Sequence, residues 1–100
     1  MDEYKVVILP AAQSDFLGVT EYLCTLAPEE AVHSFEQFMK ETEVLRTAPK
    51  SCPFARDSQL RLRGYRTLST EDYILFFVID GGTVQIRRIL YAKRLYDRLS

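Results

Sequence analysis

The chain has little that could tie it together through covalent bonds or metal. Two cysteines, Cys24 and Cys52, do not make a disulfide framework. With a single histidine, His33, they also lack the spacing of a metal-ligand set, so neither a metal nor a cofactor is expected. No apolar run is long enough to span a bilayer and no signal-peptide pattern opens the chain, so the expected location is cytoplasmic, with no membrane partner. Internal repeats, linkers and low-complexity tracts are missing too. What remains is 100 residues, 47% hydrophobic and 27% charged, the composition of one globular domain spanning residues 1–100.

Net charge is also small, at −1, but it hides an asymmetry. Residues 1–53 hold four Lys/Arg against nine Asp/Glu, and residues 54–100 hold nine against five, so the halves carry −5 and +4. Such a split has two readings: the C-terminal half faces something anionic, or its basic residues pair with acidic helices of the same domain.

The most structured stretch is the last third. Tyr73–Ile79 is apolar at both parities, too short for most helices, and closed by Asp80-Gly81-Gly82. This reads as a central strand covered on both faces, followed by a tight hairpin and an antiparallel partner over Thr83–Tyr91. Strict alternation along that partner would send Arg87 and Arg88 to opposite faces. A short basic tail follows, with Lys93, Arg94, Tyr96 and Arg98.

Earlier in the chain, Tyr4–Leu9 reads as a strand ended by Pro10. Ala12, Phe16, Val19, Leu23 and Leu26 then recur at helical spacing over Ala11–Leu26. Pro28 opens a second helix reaching about Arg46, with Glu29 and Glu30 at its positive end. Its stripe is Ala31, Phe35, Phe38 and Leu45, with Val32 and Met39 alongside. His33 lies off that stripe and reads as a solvated surface residue. Pro49 and Pro53 bracket an irregular segment through Asp57. Leu60-Arg61-Leu62-Arg63 alternates apolar and basic, the pattern of a half-solvated strand running on to Leu68, with Gly64 as a bulge or a close backbone approach. The expected fold is therefore α+β, in the order β-α-α-β-β-β. Two helices pack on one face of a mainly antiparallel four-stranded sheet, and the first strand joins from its far end.

Several stretches together carry a resemblance. They are Leu9-Pro10-Ala11-Ala12-Gln13-Ser14-Asp15-Phe16, Tyr22-Leu23, the set Pro28, Ala31 and Phe35, and Gly64-Tyr65-Arg66-Thr67-Leu68. The strongest are Tyr73–Asp80 and Val84–Arg94. In this order, over nearly the whole chain, they resemble the RelE/ParE superfamily of small toxins from type II toxin–antitoxin modules. The resemblance implies a cytoplasmic bacterial toxin that inhibits growth, of the kind found in plasmid-stabilisation modules, and that is held inactive by a cognate antitoxin. RelE-like members cut messenger RNA on the ribosome, by attack of a ribose 2′-hydroxyl on the next phosphate. ParE-like members poison DNA gyrase and are not nucleases.

For the cut, the resemblance points to Arg66, Lys93 and Arg94 as cations, with Tyr91 as an acid or base. The chain departs from the RelE-like pattern at Ile74, where those enzymes carry an arginine, and Ser100 falls about where their C-terminal tyrosine would lie. Tyr91-Ala92 stands where many ParE-like chains read His-Gly. Two missing transition-state contacts would slow an RNA cut by several decades, so the reading leans to a ParE-like binder of gyrase or a similar target. The alternatives are a RelE-like endoribonuclease acting on ribosome and mRNA, and an inert antitoxin-binding module. Target contacts are expected at Arg61, Arg63, Arg87, Tyr96 and Arg98. Antitoxin contacts are expected at Leu17, Tyr22 and Phe54, and Arg66 and Arg94 are expected to be functional rather than structural.

Overall fold

The computed structural model describes residues 3–70 and 72–91. Lys93, Arg94, Tyr96 and Arg98 lie outside the described residues. The elements run β1 (Lys5–Ile8), α1 (Pro10–Leu26), α2 (Pro28–Glu41), α3 (Val44–Thr47), a 3-10 turn (Pro49–Ser51), α4 (Ser58–Leu62), β2 (Arg66–Ser69), β3 (Tyr73–Asp80) and β4 (Thr83–Tyr91). The four strands form one sheet in the order β1-β4-β3-β2. Both β2–β3 and β3–β4 are antiparallel, while β1 joins the far edge parallel to β4. The α+β expectation and the central position of β3 are therefore met.

The hairpin turns on Gly81, whose φ of 60° is open to glycine and strained for most other residues. Tyr73, Leu75 and Phe77 face the helices and are buried with Val84, Ile86, Ile89 and Tyr91 of β4. From the helices, Ala12, Val19, Leu23, Ala31, Phe38 and Leu45 complete this core. The alternate residues Ile74, Phe76 and Val78 are only half-buried, so β3 is fully covered on one face rather than both. Among the described residues the helices α1 and α2 supply one layer, and a loop with a single short helix reaches the other face.

Four local expectations are corrected. The second helix stops at Glu41, because Thr42 turns its hydroxyl back onto the carbonyls of Phe38 and Met39 at 2.8 and 3.2 Å. The break lets α3 start afresh and sink Leu45 to 0% exposure. Leu60–Arg63 is not a strand. Asp57 caps α4 by accepting the backbone N–H groups of Gln59 and Leu60 at 2.9 and 3.0 Å, and local capping outweighs a four-residue alternation. Gly64, at φ 82° and with open space around it, is neither a strand bulge nor a close approach; it is the left-handed residue that ends α4.

The fourth correction falls on β4. Phe76 pairs with Arg88 but Phe77 pairs with Ile86, so β4 holds one extra residue there. This bulge interrupts the alternation: Arg87 and Arg88 both sit between the inward-facing Ile86 and Ile89, off the helix-covered side.

On α2 the expected stripe is met at Ala31 and Phe38 but not at Phe35. Ala31, Ser34 and Phe38 point inward, while Phe35 is 47% exposed, alongside Val32 and Met39. The inward place between Ala31 and Phe38 is taken by a polar residue. Ser34 shares a 2.9 Å hydrogen bond with the Tyr73 hydroxyl and donates at 3.4 Å to Asp72, which leaves the tyrosine hydroxyl as the donor in the shared bond. A buried phenol needs such a partner. Removing it in Tyr73→Phe leaves the serine without its donor and should lower stability by about 0.5–1.5 kcal/mol, read from urea unfolding.

Candidate functional site

The sheet face away from α1 and α2 carries most of the described basic residues of the C-terminal half. What each can do depends on what already holds it. Residues 54–91 contain six arginines: Arg56, Arg61, Arg63, Arg66, Arg87 and Arg88.

Three of them are engaged internally. β1 ends at Ile8, and the Leu9 N–H reaches the Ile86 carbonyl at 2.9 Å, after which β4 has no strand on that side. Asp15 of α1 fills the gap. Its carboxylate accepts the Ile89 backbone N–H at 2.9 Å and takes the Arg88 guanidinium side-on through Nε and Nη2 at 2.7 and 2.9 Å. The Arg88 hydrogen bond, helped by the Ile89 N–H and opposed by partial burial, holds the Asp15 carboxyl below the usual carboxylate range.

Arg66 clamps the irregular segment to the edge of β2. Its Nη1 donates to the carbonyls of Cys52 and Lys50 at 2.7 and 3.3 Å, and its guanidinium centre lies 3.9 Å above the Phe54 ring. Backbone bonds run parallel to it, from Thr67 N–H to the Pro53 carbonyl and from Ala55 N–H to the Tyr65 carbonyl, both 2.9 Å. Beneath the clamp Cys52 is buried, and that burial pushes its thiol up. Arg61 ties the same segment, donating to the carbonyls of Ala55 and Arg56 at 3.1 and 2.8 Å.

Arg56, Arg63 and Arg87 remain; Arg63 and Arg87 line a cleft of about 380 Å³ beside the β3–β4 hairpin, with Tyr65, Val78, Asp80 and Gln85. Arg87 donates through Nη2 to Gln85 Oε1 at 3.0 Å, with its guanidinium 5.8 Å from the Tyr65 ring centre. Its Nε is buried and has no acceptor among the described residues. A buried donor left unpaired costs about 1–3 kcal/mol. A second, larger hollow of about 650 Å³ is mostly apolar and runs over Phe54, Leu60, Ile74 and Phe76.

The remaining expected residues are dispersed. Tyr91 is buried on the helix side, its ring 5.6 Å from that of Tyr73 and 6.4 Å from that of Tyr22, so it is remote from the arginine face. Tyr22 is half-buried in the same aromatic cluster. Leu17 and Phe54 are exposed, at 61% and 49%. The exposed stripe Val32, Phe35 and Met39 was missed as a surface. Its i, i+3, i+7 spacing is plain in the sequence, but spacing alone does not say which way a helix is turned. Among the described residues no cluster of three or more His, Cys, Asp or Glu could hold a metal, and no helix is long and apolar enough to cross a membrane. The arginine face offers fixed charge and hydrogen-bond donors.

Two variants test these roles. Asp15→Ala should cost about 1–3 kcal/mol at neutral pH, with the lower part of that range favoured by the 56% exposure of the Arg88 side chain. Since the folded carboxyl titrates below its unfolded value of about 3.9, this contribution is complete above that pH. It is lost as pH falls through the depressed folded value, so the gap between wild type and variant should close in acid unfolding curves. Arg66→Ala should cost about 1.5–3 kcal/mol, because two carbonyls lose a charged donor, and it should speed proteolysis in residues 48–57.

Comparison with known proteins agrees with this architecture. No curated protein matches the chain at a significant level. Among solved structures, a chain of the chromosomal ParDE toxin–antitoxin system from P. aeruginosa superposes with a TM-score of 0.72 at 20% identity, covering 88% of this chain and 95% of that one. A chain of the RelBE2 toxin–antitoxin complex from Mycobacterium tuberculosis gives 0.58 at 22% identity, covering 89% and 98%. At such identities these likenesses speak for the fold. The family model of the ParE toxin of the type II toxin–antitoxin system parDE matches residues 6–96, nearly the whole chain, and the chain therefore belongs to the ParE toxin family.

Proposed function

We infer that this protein is the toxin of a two-gene module, neutralised by an antitoxin, and that it acts by binding gyrase or a similar target without chemistry of its own. The observation that carries the second half is the environment of Ile74. The residue stands where RelE-like enzymes place an arginine, and here it lines an apolar hollow with Phe54, Leu60 and Phe76. Of the nearby cations, Arg66 is committed to backbone carbonyls and Arg88 to Asp15, which leaves Arg56, itself lining the hollow, as the one cation there without a side-chain partner among the described residues. A phosphoryl-transfer site needs cations free to meet developing charge. The match to the ParE family model supports the same side of the choice.

The antitoxin partner rests on the family and on the two similar structures, each of which comes from a toxin–antitoxin system or complex. Val32, Phe35 and Met39 on α2, with Leu17 and Phe54, present the apolar surface that a folding-on-binding segment could cover. A standard interface of about 1,600 Å² would bury them readily.

Expression of the chain alone should arrest growth, and co-expression of the adjacent gene's product should restore it. The purified chain should inhibit gyrase supercoiling and leave a defined message intact in a translating extract. Ribosome-dependent cleavage between defined codons, with supercoiling untouched, would overturn the reading in favour of an endoribonuclease.

A further inference from the structure

We propose that the cleft between the β3–β4 hairpin and the turn from α4 to β2 is a carboxylate-binding site, which takes one acidic side chain from an apolar-flanked segment of a protein partner. Four features of the cleft lead there. First, the bulge in β4 turns Arg87 onto the open face, where regular alternation from the buried Ile89 would have sent it inward. Second, Arg87 buries one N–H, its Nε, that no acceptor meets among the described residues. Third, the Arg63 guanidinium lines the same cleft and has no ion-pair or hydrogen-bond partner among the described residues. Fourth, the volume of about 380 Å³ suits a side chain rather than a whole structural element. A carboxylate entering the cleft would meet Arg63 from outside and, after a small turn of the Arg87 guanidinium, the Nε–H from within. Paired N–H donors of this kind are what arginine presents to planar oxyanions.

The choice of a protein carboxylate over a nucleic-acid backbone follows from charge and from the walls. A nucleic-acid strand brings a phosphate with every nucleotide and is held by a track of free cations. Here Arg61, Arg66 and Arg88 are already engaged, and Asp80 on the rim leaves the cleft a single net positive charge. One carboxylate balances that charge and a chain of phosphates exceeds it. Val78 and the Tyr65 ring form an apolar wall, which suits the apolar neighbour of an acidic residue in a peptide.

The proposal rests on the functional reading above only in taking the partner to be a protein. Its test is a titration of the full ¹⁵N-labelled chain, following the arginine Nε–H resonances by NMR. The probes are an end-capped peptide alternating glutamate and leucine, its glutamine counterpart, and a single-stranded RNA oligonucleotide. The glutamate peptide should shift the Arg87 Nε–H resonance saturably, and the glutamine peptide should not. Arg63→Gln, on an exposed side chain, and Arg87→Lys, which keeps the charge but loses the Nε–H, should each weaken binding about tenfold. Arg56→Gln, outside the cleft, should leave it unchanged. Absence of a saturable shift, an equal response to the glutamine peptide, a preference for RNA, or indifference to Arg63→Gln would each overturn the assignment. Growth arrest by a chain whose cleft stays silent would sink this proposal alone; a saturable Arg87 shift in a chain that arrests nothing would sink the toxin reading alone.

Discussion

The carboxylate of Asp15 closes the place where the sheet runs out of strands. β4 is nine residues long and its parallel neighbour β1 only four, so the second half of β4 would otherwise turn unpaired backbone groups towards the start of α1. One side chain from the second turn of α1 takes the Ile89 N–H and the Arg88 guanidinium together. An exposed strand edge is a standing invitation to mispairing, and a short helix-borne carboxylate is an economical way to occupy it. The same contact sets how α1 lies on the sheet, because Ala12, Val19 and Leu23 are buried from the same helix.

That contact also sorts the arginines. The bulge at Arg87 and Arg88 puts two guanidinium groups off the helix-covered face, next to one another in sequence, and Asp15 takes one of them. Arg66 and Arg61 are drawn off in a different way, each holding carbonyls of the loop that borders β2. Among the described residues, three of the six arginines of residues 54–91 are therefore taken up within the domain. Of the two readings of the charge split, pairing with an acidic helix is met at Arg88 and Asp15, while Arg61 and Arg66 serve the domain's own construction through carbonyls, and Arg63 and Arg87 line the cleft. A guanidinium donating to carbonyls braces an irregular loop that has few ladder bonds of its own, and a substitution there acts through folding before it acts on any partner.

The helical layer shows a related economy. Ser34 is the buried polar residue of α2 and bonds to Tyr73, while Phe35 beside it is 47% exposed. The hydrogen bond joins α2 to the central strand on the side opposite its exposed apolar residues. Val32, Phe35 and Met39 form a row on a rigid helix, so a partner meets a preformed surface, which lowers the entropic cost of association.

Much of this was legible in the chain. Length, composition, the two prolines at helix starts, the apolar run Tyr73–Ile79 and the Asp-Gly-Gly turn determined an α+β domain with a β3–β4 hairpin at its centre. These are local signals: periodicity, backbone freedom and the missing proline N–H act within a few residues. Asp57 before Ser58 also announced α4, although the alternation of Leu60–Arg63 concealed it. The site was less legible, because its content depends on contacts between distant residues. No local rule tells that Asp15 meets Arg88 across 73 positions, or that Arg66 reaches the Cys52 carbonyl. Nor does one tell that Tyr91 packs among aromatic rings instead of facing solvent. Periodicity states that a helix has an apolar stripe and a strand an alternating pattern. Which stripe turns inward, where a strand gains an extra residue and which arginine keeps a free N–H are settled by satisfying every buried donor and acceptor at once, and that condition exists only in the folded molecule.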